Sequence, residues 1–209
     1  MKEIAGLLLD IGAVSLSPKA PFTWASGIKS PIYCDNRLVL SYPLERRQVE
    51  EALVRHVKGT YPQAQAILGT ATAGIPHASI MAWEMGLPTG FIRSKAKDHG
   101  RGKQIEGDFK PGTKVVVVED LLSTGGSSIA AAQAAQKAGL EVLGVVAIFS
   151  YGLPACEDNF REAGLAASSL THYEELMDLA LERDLIGQED LDKLRAWRKD
   201  PKDPSWMDQ

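Results

Sequence analysis

Valine and isoleucine gather along this chain into short unbroken apolar runs, and the stretches between them carry apolar residues at helical spacing. The runs predict strands buried on both faces, and the spaced stretches predict helices that cover them. Residues 2–14 read as an amphipathic helix, with Glu3 and Asp10 set among leucines. A turn- and aromatic-rich segment occupies 17–36. A helix follows at about 44–58, with Glu45, Arg46, Arg47, Glu50 and Glu51 giving it a charged face. A short strand at 66–68 leads through the small-residue turn Gly69-Thr70-Ala71-Thr72-Ala73-Gly74 into a helix at about 76–85, which has Pro76 in its first turn and Gly86 at its end. Another short strand is expected at 89–93. Val115 to Val118 form a third strand ending on Glu119 and Asp120, and the turn Ser123-Thr124-Gly125-Gly126 opens an alanine-rich helix running to about 138. Strands at 141–149 and near 167–170 and helices at about 173–182 and 188–198 complete the pattern. The polar tail from Lys199 is expected to fray. Strands alternating with helices predict a single α/β domain built on a mostly parallel sheet flanked by helices on both faces.

Composition narrows the field. With 209 residues the chain is long enough to bury a sizeable core, and its net charge of −4 argues against a non-specific nucleic-acid surface. No apolar run reaches the roughly 18 residues of a membrane helix, and the acidic first helix is unlike a signal peptide. Cys34 and Cys156 are far apart and form no C-x-x-C, so neither a disulfide framework nor a zinc site is suggested. A cytoplasmic protein with no membrane or nucleic-acid partner is expected. His56, His77 and His172 have no partner visible in the sequence and are read as structural.

The stretch 115–128 carries the chemistry. A strand, two adjacent carboxylates, a glycine turn and a helix start follow one another there, so free amide donors and a helix dipole sit at the carboxyl edge of the sheet. Those favour an anion such as a phosphate, while the acids could accept hydrogen bonds from sugar hydroxyls. On shape alone an ordinary βα turn would look the same. The crowded carboxylate pair tips the reading toward a phosphorylated sugar. No lysine follows the glycines, which excludes a Walker A loop, and the G-x-G-x-x-G spacing of dinucleotide sites is missing. Arg93, Lys95, Lys97, His99, Arg101 and Lys103 place six cationic or potentially cationic groups in eleven residues of a glycine-rich loop. On composition alone that segment is either a solvated surface loop or a mobile lid whose cations meet a departing diphosphate.

Four apolar residues, two acids and a Thr-Gly-Gly-Ser loop resemble the 5-phosphoribosyl 1-diphosphate (PRPP) motif of the type I phosphoribosyltransferases. Arg93-Ser94-Lys95-Ala96-Lys97-Asp98-His99-Gly100 resembles the flexible catalytic loop of the orotate phosphoribosyltransferases within that family. Phe22-Thr23-Trp24-Ala25-Ser26-Gly27-Ile28-Lys29-Ser30-Pro31-Ile32-Tyr33 resembles their base-binding hood. The resemblance implies the type I phosphoribosyltransferase fold, with a small hood at about 1–40, a core at about 44–172 and C-terminal helices at about 173–199. It implies transfer of a 5-phosphoribosyl group from PRPP to orotate, with Mg²⁺ as cofactor and no protein cage of metal ligands. The PRPP site would be Arg93, Lys97, His99, Glu119, Asp120, Leu121, Leu122, Ser123, Thr124, Gly125, Gly126 and Ser127, with Lys97, His99 and Asp120 catalytic. Ser123 and Tyr33 would meet orotate. It further implies a homodimer in which the 93–103 loop is shared, Lys97 and His99 reaching the neighbouring subunit's site. A phosphoribosyltransferase for a purine or other base, and a non-catalytic PRPP-sensing regulator, are the alternatives. The acidic first helix offers no basic DNA-binding face for the latter. Three places depart from the family pattern: Ala25 and Ala73, where some members carry lysine, and Ser150-Tyr151-Gly152, where many carry an arginine for the base carboxylate.

Overall fold

A computed structural model describes residues 2–24, 27–94 and 104–208. The chain opens with helix α1 (Lys2–Asp10), then β1 (Val14–Leu16), β2 (Phe22–Thr23), β3 (Lys29–Ser30) and β4 (Ile32–Cys34). A 3-10 turn (Asn36–Ser41) leads into α2 (Pro43–Thr60), β5 (Ala66–Thr70), α3 (Gly74–Met85), β6 (Thr89–Ile92) and β7 (Ile105–Glu106). The second half runs β8 (Lys114–Leu122), α4 (Gly126–Lys137), β9 (Glu141–Ser150), α5 (Pro154–Glu162), β10 (Ala167–His172), α6 (Tyr173–Glu182) and α7 (Gln188–Lys199), closing on a 3-10 turn at Pro204–Asp208.

Six strands form the central sheet in the order β10-β9-β8-β5-β6-β7, parallel throughout except that β7 runs antiparallel to β6. This is the parallel-dominated α/β architecture that the alternating pattern predicts. Chain direction reverses across the sheet: β5 connects outward to β6 through α3, whereas β8 connects the opposite way to β9 through α4. Right-handed crossovers therefore place α3 and α4 on opposite faces. Helices α2 and α3 pack together on one side, and α4 and α5 on the other. Val115, Val116, Val117 and Val118 are all fully buried, as a strand covered on both faces requires. Two small antiparallel ribbons, β1–β4 and the β2–β3 hairpin, stand beside the sheet. Among the described residues, no helix is long and apolar enough to cross a membrane.

Several elements differ from expectation. Helix α1 stops at Asp10 rather than near 14, because Val14–Leu16 is taken into pairing with Ile32–Cys34. Strand β8 does not end at the acids. It runs on to Leu122, because β9 is long enough to pair Leu121 with Phe149 and Leu122 with Ser150. Helix α5 is unanticipated: its sequence is mostly polar and buries only Cys156 and Phe160, one turn apart. The tail does not simply fray, since the last 3-10 turn buries Trp206 to 2% exposure. Glu50 is not on the solvent face of α2. It is buried at 1% side-chain exposure, and its Oε1 lies 2.7 Å from His77 Nδ1. His56 also has a partner, Ser168 Oγ at 2.8 Å from its Nε2, and His172 caps α6.

Candidate active site

The carboxyl end of β8 carries two adjacent acids whose carboxyls act on each other. Glu119 turns toward α4 and is 8% exposed; Ser128 Oγ donates to its Oε2 at 3.2 Å, and the Asp120 amide donates to its Oε1 at 3.0 Å. Asp120 lies within charge range of Arg37 and His77. Burial, and then the hydrogen bond and charge of Glu119, push its carboxyl up to about 7 from the usual 3.8, while the charge of His77 pulls it back down. Its carbonyl accepts a 2.7 Å hydrogen bond from Nδ2 of Asn36, a fully buried residue of the first 3-10 turn.

Past the acids, Leu121 and Leu122 remain in the strand, and the Leu122 carbonyl accepts from the Tyr151 amide. Ser123 is half-buried, and Thr124, Gly126 and Ser127 are exposed around the turn. Gly125 is buried with φ +79°, and a Cβ there would lie 2.6 Å from the Phe160 ring. Both the backbone conformation and the space demand glycine at that position. Asn159 of α5 fixes the turn by donating to the Thr124 carbonyl at 2.9 Å. Helix α4 begins at Gly126 with no side-chain cap, so its first amides point out of the turn and suit an anion.

The β5–α3 turn lies directly against this strand. Thr70 Oγ1 donates to the Val118 carbonyl at 3.2 Å, and a Cβ on Gly74 would fall on that same carbonyl. The Ala71–Thr72 peptide in the turn is cis, and the Ala71 amide bonds the Ile92 carbonyl. Residues 70–74 thus bridge the ends of β8 and β6, where Arg93 follows. The Arg93 guanidinium lies 3.6 Å from Glu106, and its backbone is tied to Gln104 at the far root of the loop. Lys97 and His99, with the rest of 95–103, lie outside the described residues, as do Ala25 and Ser26.

The β2–β3 hairpin is seated by aromatic packing. Trp24 lies 5.4 Å from Tyr151 and 5.6 Å from Trp197 between ring centroids, and Trp197 Nε1 donates to the Lys29 carbonyl at 3.0 Å. Tyr151, one of the departures noted in the sequence, is only 3% exposed within this cluster. It holds the hairpin and does not offer a free polar group to a substrate. Tyr33 is 44% exposed and packs on Phe22. A groove of about 560 Å³ opens behind Gly125, between α5, β10 and α7; its cations are paired, Arg161 with Asp158 and Arg198 with Glu174. Asn36 and Trp197 are the site-building residues that sequence reasoning missed, whereas Trp24 lay within the segment read as a hood. Asn36 and Trp197 each work through a contact far along the chain, and no local pattern marks them.

Comparison with known proteins agrees with this geometry. The phosphoribosyl transferase domain family matches residues 41–161. Orotate phosphoribosyltransferase of Enterococcus faecalis is 55% identical over 200 residues, 96% of this chain and 95% of its own. That of Bacillus anthracis is 52% identical over 206 residues, 99% of this chain and 98% of its own. Among solved structures, orotate phosphoribosyltransferase from Aeropyrum pernix superposes with a TM-score of 0.76 at 26% identity, covering 88% of this chain and 99% of that one. Leishmania donovani UMP synthase gives 0.78 at 28% identity, covering 94% of this chain but 42% of that longer protein. With 52–55% identity to orotate phosphoribosyltransferases over nearly its whole length, the chain belongs to the orotate phosphoribosyltransferase family.

Proposed function

We propose that the protein transfers the 5-phosphoribosyl group of PRPP to N1 of orotate, releasing diphosphate and forming orotidine 5-monophosphate on the route to UMP. The observation that carries this reading is the end of β8, where Glu119 and Asp120 stand immediately before the uncapped start of α4. The carboxylates accept hydrogen bonds from the ribose 2- and 3-hydroxyls, and the amides of 124–127 bind the 5-phosphate. The C1–oxygen bond breaks through an oxocarbenium-like transition state, so the protein contributes mainly positioning and charge stabilisation. Arg93 and the 70–74 turn lie on the diphosphate side, with Lys97 and His99 closing over the leaving group and excluding water. Ser123 and Tyr33 flank the base.

The oxygen-rich, acidic end of β8 suits a Mg²⁺–PRPP complex, since magnesium takes hard oxygen donors and keeps several waters. Bound with PRPP, the ion would supply neutralisation of charge on the diphosphate, and no residue of this chain is assigned to it. The protein works in the cytoplasm as a homodimer in which the 93–103 loop serves the partner's site.

Orotate absorbance should fall only when PRPP and Mg²⁺ are both present. Turnover of another base with none of orotate would overturn the acceptor. Lys97→Ala should lower kcat far more than PRPP affinity, whereas an equal loss of both, or no loss, would refute the lid role. Sedimentation tests the shared loop, because a strict monomer with full activity cannot use it.

A further inference from the structure

Asp120 stands beyond the point where β8 loses one of its neighbours. The β5–β8 ladder ends with Gly69 against Val118, and β5 itself stops at Thr70. On the other side, β9 pairs with Glu119 and Leu121. Asp120, two residues after Val118, repeats its orientation and turns its main chain toward the side that β5 has left. An amide and a carbonyl stripped of ladder partners must find others or stay unpaired. Here side chains take both. The Asp120 amide donates to Glu119 Oε1 at 3.0 Å, and its carbonyl accepts from Asn36 Nδ2 at 2.7 Å. Asn36 thus stands in for a missing strand at the switch point between β5 and β8, the place where open α/β sheets bind their ligands.

The other end of this fully buried amide is occupied as well, since Cys34 Sγ donates to Asn36 Oδ1 at 3.2 Å. Its orientation is fixed, because a carbonyl only accepts and Nδ2 is the end that donates. Cys34 closes β4, the strand that pairs with β1 and carries Tyr33. Ser30 Oγ donates to the Ile32 carbonyl at 2.7 Å and so ties β4 to the β2–β3 hairpin. Ser30, Ile32, Cys34 and Asn36 are all buried. A short hydrogen-bonded path therefore runs from the aromatic hairpin, past Tyr33, to the peptide of Asp120.

We infer that Asn36 is a positioning residue that holds the acceptor strand in register with the ribose-binding acid. This rests on the readings of Asp120 as a ribose ligand and of Tyr33 as a base contact. Each side of the site has a seat of its own: Trp197 holds the hairpin, and β9 and Glu119 hold the acid strand. The Asn36 amide sets one against the other. Transfer to an oxocarbenium-like centre depends on the distance from the base nitrogen to ribose C1, so a slip of about 1 Å costs rate before it costs affinity.

The test is Asn36→Leu, which keeps the volume and removes both hydrogen bonds. Initial rates would be measured over a matrix of PRPP and orotate concentrations with Mg²⁺ present, and thermal melting recorded in parallel. The expected result is a kcat lowered about tenfold to a hundredfold, with KM for PRPP and KM for orotate each within about threefold of the parent. Val39→Ala, a packing variant in the same 3-10 turn, should melt earlier yet keep kcat within about threefold. A folded Asn36→Leu with kcat near the parent value overturns the inference. So does a loss carried mainly by either KM, or an equal fall of kcat in Val39→Ala. If Asn36→Leu does not fold, Asn36→Ser, smaller and still polar, decides by the same split. Two further variants keep the claims apart. Retained activity in Asp120→Asn refutes the ribose reading, and an unchanged KM for orotate in Tyr33→Ala refutes the base reading. An inactive Asp120→Asn and a raised KM for orotate in Tyr33→Ala, beside an unaltered kcat in Asn36→Leu, refute the positioning role alone.

Discussion

Replacing Asp120 with asparagine should silence the enzyme and, at alkaline pH, make the folded protein more stable. The Asp120 carboxyl sits at about 7 in the folded chain and near 3.8 when unfolded. The raised value means that the native state binds a proton which the unfolded chain has released. Stability from this group is fully present below pH 3.8 and is lost as pH rises through 7. The full difference is worth at most about 4 kcal/mol. The strand end meets solvent, so the net penalty at pH 8 should be about 1–2 kcal/mol. Asparagine keeps the shape without a charge. The variant should therefore melt about 3–6 °C above the parent at pH 8 and within about 1 °C of it at pH 4. Ligand-free thermal unfolding at the two pH values measures this directly. A destabilised variant at pH 8, or a gain of equal size at both values, would refute the argument that this site holds an unfavourable charge for the sake of its substrate.

Three further outcomes are expected. Gly125→Ala should cost about 1–3 kcal/mol and raise KM for PRPP, because the added methyl meets Phe160 in a left-handed backbone; unchanged melting and KM would show that the turn relaxes freely. Trp197→Phe removes the donor to the Lys29 carbonyl and should raise KM for orotate severalfold while leaving KM for PRPP nearly constant, as steady-state kinetics on both substrates would show. Trp206→Ala should destabilise the protein by about 3 kcal/mol in urea titration, whereas a tail that frays would give no change.

The parts of the molecule legible in the sequence are those whose physics is local. Val115 to Val118 announce a buried strand, and the Ser123–Gly126 turn and the alanines after it announce a helix start, because neighbouring residues alone set those conformations. Charge was the misleading signal. Glu50 belongs to a run of acids and arginines that reads as a solvated face, and only the fold brings His77, 27 residues away, to bury it. Asn36 reaches Asp120 across 84 residues, and a polar residue after a hairpin gives no hint of that. Helix α5 escaped because two apolar residues one turn apart make too faint a stripe, and Trp206 because one aromatic in a polar tail has no period at all.

The anchoring of the β2–β3 hairpin has a consequence for how the enzyme comes into being. The carbonyl of Lys29 waits for an indole made 168 residues later, and Trp24 for the same ring. During synthesis the segment from β5 to α4 can collapse on its own neighbours, while the hairpin lacks the Trp197 part of its seat until α7 has left the ribosome. The nascent chain should therefore form the acid pair and the glycine turn before the β2–β3 hairpin is anchored, so these two parts of the finished protein are completed at different times.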